Sequence, residues 1–93
     1  MKVSHVTITN DTPMKVKLPA PSGKVLVKNF TNGDLKVSIE TEDFDENYVT
    51  IPPLMAEVVH ECETKSSSPM YFFDDVHLLG SASGEVEIRC LNG

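Results

Sequence analysis

The densest run of oxygen-bearing side chains in the sequence is Glu40-Thr41-Glu42-Asp43-Phe44-Asp45-Glu46-Asn47. Asp43, Asp45 and Asn47 stand at the i, i+2, i+4 spacing with which an EF-hand loop presents ligands to calcium. Such a loop also needs a glycine after the third ligand, for the sharp turn, and a bidentate carboxylate at its last position. Tyr48 and Leu54 occupy those two places, and no helical pattern flanks the segment. The EF-hand reading fails. What the composition leaves is a solvated acidic loop or, as the alternative, a weak cation site of another kind.

The other chemistry-bearing residues do not converge either. His5, His60 and His77 are the only histidines, and none pairs with another at ligand spacing. Glu57-Val58-Val59-His60-Glu61-Cys62 gathers acid, imidazole and thiol, but neighbours on a strand point to opposite faces, so His60 and Glu61 diverge. HExxH and CxxC are both absent. Serines fall at Ser66-Ser67-Ser68 and at Ser81 and Ser83, outside any GxSxG context. Gly80-Ser81-Ala82-Ser83-Gly84 lacks the lysine of a phosphate loop and reads as a hairpin connection. The expectation is a non-enzyme with no catalytic, metal or cofactor site.

Composition points the same way. Among 93 residues there are 11 Val, 4 Ile and 7 Thr against 3 Ala, a balance that favours strands over helices. The net charge of −6 argues against nucleic acid as a partner, since that affinity rests on neutralising phosphates. No apolar run follows Met1-Lys2-Val3-Ser4-His5, and none reaches the ~18 residues of a membrane span. A cytoplasmic, membrane-free protein is expected. Cys62 and Cys90 are too few for a disulfide framework. Cys90 alternates in phase with Val86 and Ile88 and is expected as a buried thiol. Asn10-Asp11-Thr12 and Asn29-Phe30-Thr31 match the glycosylation sequon, expected to be idle without a secretory signal.

Period-two alternation recurs along the chain and sets the elements. Strands are expected from Lys2 to Thr9, Met14 to Leu18, around Val25-Leu26-Val27, Leu35 to Glu40, Tyr48 to Ile51, Met55 to His60, around Tyr71-Phe72-Phe73 and Val76 to Leu79, and Glu85 to Leu91. Pro19-Ala20-Pro21-Ser22-Gly23 reads as a turn, Asn32-Gly33 as a type I′ hairpin turn, and Pro52-Pro53 as a stop. About eight short strands at this spacing predict one all-β domain, residues 1–93. The fold class is an antiparallel β-sandwich, for which a jelly roll is one connectivity.

Function then rests on surfaces. Leu26, Phe30 and the cluster Tyr71, Phe72, Phe73 are candidate contacts with other protein subunits, although such side chains equally build cores. Residues 1–36 hold 6 Lys and 2 acids (+4), whereas 37–93 hold 12 acids and 2 basic residues (−10). Opposite charges of this kind either guard strand edges or meet between subunits in a ring or shell. The succession Val6-Thr7-Ile8-Thr9-Asn10-Asp11-Thr12, Val16-Lys17-Leu18-Pro19, Gly23 to Phe30, Asn32 to Ser38 and Ile51 to Val58 resembles small β-sandwich virion proteins of tailed bacteriophages and prophages. The resemblance implies a head-decoration, head-fibre or head–tail component working in a symmetric homo-oligomer or shell, incorporated in a virion. It carries no functional residue over. The alternatives are a small ligand- or carbohydrate-binding β module, poorly supplied with stacking rings by Tyr48 and Tyr71 alone, and a cupin-like enzyme, which three scattered histidines do not support.

Overall fold

The computed structural model describes residues 2–22, 24–39, 42–61 and 73–91. Among them lie eight strands and no helix: β1 (Lys2–Ile8), β2 (Met14–Ser22), β3 (Lys24–Asn29), β4 (Leu35–Ile39), β5 (Val49–Ile51), β6 (Ala56–Glu61), β7 (Phe73–Gly80) and β8 (Gly84–Cys90). They form two four-stranded sheets, ordered β1-β8-β3-β6 and β2-β7-β4-β5. Every pairing is antiparallel.

The pairs β1 with β8, β2 with β7, β3 with β6 and β4 with β5 describe one long hairpin, its tip between β4 and β5, rolled up on itself. The lateral joins β3–β8 and β4–β7 then close each sheet. This is a jelly roll, an arrangement whose chain crosses between sheets at almost every connection.

Alternation explains which side of each strand goes inward. Val25 and Val27 of β3, Leu35 and Val37 of β4, Val76 and Leu78 of β7, and Val86, Ile88 and Cys90 of β8 are buried between the sheets. Ile8, Val16, Leu18 and Ile51 complete the core, with Val6, Met14, Ile39, Val49 and Val59 packed around it. These are mostly β-branched and aliphatic side chains, which fit pleated surfaces closely. The Cα radius of gyration, 12.4 Å, matches the about 12 Å expected of one compact body of this length.

Three local expectations are corrected. Asn32-Gly33 joins no hairpin, because β3 and β4 belong to different sheets, and neither residue has positive φ. Glycine is needed there for close approach instead: a Cβ on Gly33 would lie 2.3 Å from Ser81 Oγ. Gly80 to Gly84 likewise passes from one sheet to the other, with Gly84 at φ +154° against Thr31. Finally, β2 does not stop at Leu18 but continues through Pro19 to Ser22 with a register shift after Lys17. Proline is tolerated because β2 is an edge strand, where a missing N–H costs no ladder bond.

Candidate interaction surface

Two polar constructions hold the ends of the sandwich. Asn29, the last residue of β3, is fully buried and every polar atom of its side chain is used. Its Nδ2 donates to Gly33 O at 2.8 Å and to Ile51 O at 3.0 Å. Its Oδ1 accepts from Thr31 N at 2.9 Å and Thr31 Oγ1 at 2.7 Å. One side chain therefore ties β3 in one sheet to β5 in the other. The sequon at Asn29 is closed to modification, since its amide is spent on these bonds.

The same residue's backbone shapes the surface beside it. Leu54 N donates to Asn29 O at 2.8 Å, and Asn29 N donates to Met55 O at 2.9 Å. The turn between β5 and β6 is thereby pinned with Leu54 at φ 63°, a left-handed conformation that costs a branched side chain about 1–2 kcal/mol. Leu54 is nevertheless 64% exposed and Met55 53%. Two apolar side chains are thus held rigidly outward on a strained knuckle. Val58 on β6, opposite Leu26, and Tyr48 before β5, under Lys36, are further exposed apolar side chains.

The acidic segment folds back over the outer face of β4. Ser38 Oγ donates to Asn47 O at 3.0 Å and accepts from Asp43 N, and Lys36 Nζ donates to Phe44 O. Asp43 accepts from the N–H groups of Asp45 and Glu46 and from Asn47 Nδ2. The Asn47 amide, followed by the N–H groups of Glu46 and Asp45, holds the Asp43 carboxyl below its ordinary 3.8. Two of the three residues spaced as calcium ligands, Asp43 and Asn47, are therefore engaged with each other, and Asp43 with the backbone of the third, Asp45.

On the outer face of the β1-β8-β3-β6 sheet, Glu87 is not water-facing as alternation alone suggests; it is 8% exposed. Arg89 Nε donates to it, and His5 Nε2 lies 3.8 Å away while His5 Nδ1 binds Glu85 at 2.6 Å. These side chains, Glu85, Glu87 and Arg89 of β8 with His5 of β1, lie on a sheet face rather than in a cavity. Among the described residues no group of three His, Cys, Asp or Glu side chains is placed to hold a metal. His77, opposite Ser38 and Lys15, is buried with Nδ1 unbonded.

Of the expected contacts, Leu26 lies half-buried on the outer face, in register between Val58 and Arg89. Phe30 is exposed at the end of β3, with Lys28 Nζ 4.9 Å from its ring centre. Phe73 opens β7 opposite Ser22, while Tyr71 and Phe72 lie outside the described residues, as does Cys62. Leu54, Met55 and Val58 were not anticipated. For Leu54 the signal was available, since directly after Pro52-Pro53 it falls outside every expected strand. Expected as a strand from Met55 to His60, the segment instead starts β6 at Ala56, and a bulge inserts Val59 between Val58 and His60.

No family model, no curated protein and no solved structure matches the chain. Among the described residues no helix is long and apolar enough to cross a membrane.

Proposed function

We propose that this jelly roll is a non-catalytic structural module, a virion component of a tailed phage or prophage of the head-decoration, head-fibre or head–tail kind, working through its surfaces in a symmetric assembly. The observation that carries the reading is the knuckle at Leu54 and Met55. A left-handed, branched, solvent-facing residue is a standing cost in an isolated domain, and strain of that sort concentrates where a partner is engaged. The exposed Leu54 and Met55 side chains supply what a contact buries. The core beneath is filled by aliphatic side chains, so the fold's capacity lies in its rim and loops.

Native mass spectrometry of the purified chain tests this directly. A discrete oligomer supports the reading, and a monomer throughout the accessible concentration range overturns it. Portal, capsid or tail genes beside the coding sequence would support the virion assignment.

One observation favours a second reading, a module for a small polar ligand. A shallow hollow of about 290 Å³ is lined by Asp11, Asp34, Lys36, Leu79, Gly80 and Ser81. Amide shift changes confined to these residues on titration with a panel of neutral and amino sugars would favour it.

A further inference from the structure

The strands and loops at the two edges of each sheet carry charge of opposite sign, although Lys24, Lys28 and Lys36 lie on β3 and β4, and Asp75, Glu85 and Glu87 lie on β7 and β8, where Asp75 pairs with Lys15 and Glu85 with His5. Strands β1 and β2 are each the first strand of their sheet, and they pack together on one side. Strands β5 and β6 are each the last, and they lie together on the other. The first side carries Lys2, Lys15 and Lys17, all exposed, with His5 and one acid in its turn, Asp11. The second carries Glu57, exposed on β6, and beside β5 the loop of Glu42, Asp43, Asp45 and Glu46 that lies over β4. Exposed apolar residues occur on both: Val3 on the basic side, and Leu54, Met55 and Val58 on the acidic side.

We infer that a second copy of this chain is the partner of these sides, its basic β1/β2 side docking head to tail on the acidic β5/β6 side with Val3 against the Leu54–Met55–Val58 surface. The inference rests on the assembly reading above and adds which surfaces meet. Three features of the molecule select this arrangement. Among the described residues no strand pairs with the outer side of β1 or of β6. In an antiparallel sheet of four strands the first and last run in opposite directions. A neighbour placed in the same orientation therefore brings its β1 beside β6 antiparallel, continuing the sheet. A two-fold contact would instead set β1 against β1 or β6 against β6, lysines facing lysines or Glu57 facing Glu57, which like-charge repulsion opposes. A head-to-tail contact leaves one side free at each end, so it propagates until the rotation between copies closes a ring.

The test uses two variants of the full chain, each blocking one side. Leu54→Asp blocks the acidic side at an exposed position whose backbone conformation suits Asp better than Leu, so folding is retained. Lys15→Glu with Lys17→Glu blocks the basic side, and Val3→Asp blocks it at a second place should the double reversal weaken the fold. By sedimentation velocity each variant alone is expected as a monomer under conditions where the natural chain associates. Their equimolar mixture is expected to stop at a 1:1 dimer, since only one productive pair of sides remains. Variants that assemble like the natural chain, or a mixture that stays monomeric, overturn the pairing of these two sides and leave the assembly reading standing. A natural chain that is monomeric throughout overturns both.

Discussion

At the scale of single residues, two side chains do most to define the proposed surface, and they do it in opposite ways. Asn29 is stable where it is, with four hydrogen bonds from one buried amide. Removing it leaves the Ile51 and Gly33 carbonyls without that donor, so Asn29→Ala is expected to cost about 2–4 kcal/mol in urea unfolding. Leu54 is the reverse, a residue the isolated fold would be better without. Leu54→Asn keeps the turn, suits positive φ and loses little burial, and is expected to raise stability by about 0.5–1 kcal/mol in the same assay. On our account that variant is more stable yet assembles less. A residue that is costly to the monomer and needed by the oligomer is the signature of a contact. Asn29 also shows why a pattern can mislead. Asn29-Phe30-Thr31 has the form of a sequon, but the asparagine and threonine are spaced to bond one another and bridge the sheets.

At the scale of elements, the strands were legible because alternation reports burial directly. Met14, Val16 and Leu18 against Lys15 and Lys17 leave little choice of face, and the strand forms as the pattern requires. The connections were not legible, because turn chemistry is read as hairpins while this topology crosses between sheets. Asn32-Gly33 and Gly80 to Gly84 were the casualties, each needing glycine for close packing against a crossing segment rather than for a two-residue turn. The acidic loop is the clearest case of an element whose sequence suggests one chemistry and whose geometry performs another. Its carboxyl at Asp43 titrates below its ordinary 3.8 because the folded turn binds the ionised form. The loop's contribution to stability is therefore complete above 3.8 and is lost as pH falls through the lowered folded value. Amide shifts of Asp45 and Glu46 followed by NMR between pH 6 and pH 2 (conditions spanning about the carboxylate range) should move together at that lowered value. In Asp43→Ala they should lack this transition and start from unbonded positions.

At the scale of the whole molecule, the sandwich class and the eight strands follow from strand count and spacing, whereas the site did not. Leu26 and Phe30 were expected as contacts from their type; Leu26 is half-buried on β3 and Phe30 is exposed just after it. Leu54 and Met55 were missed because exposure at a turn depends on how Asn29, 25 residues away in the chain from Leu54, holds that turn. The charge split was visible in the sequence, but its meaning was not, since only the rolled hairpin sets the lysines of β1 and β2 and Glu57 of β6 at opposite sheet edges. Complementary sides of this sort attract across a distance set by screening, about 30 Å at 10 mM salt and about 8 Å at 150 mM. The central claim is that this protein works by assembling through those sides. It is tested most directly by sedimentation velocity of the natural chain across a salt series. The account predicts an oligomer at low ionic strength whose apparent association constant falls about tenfold or more as salt rises through this range. A sedimentation coefficient that stays monomeric at every salt concentration would contradict it.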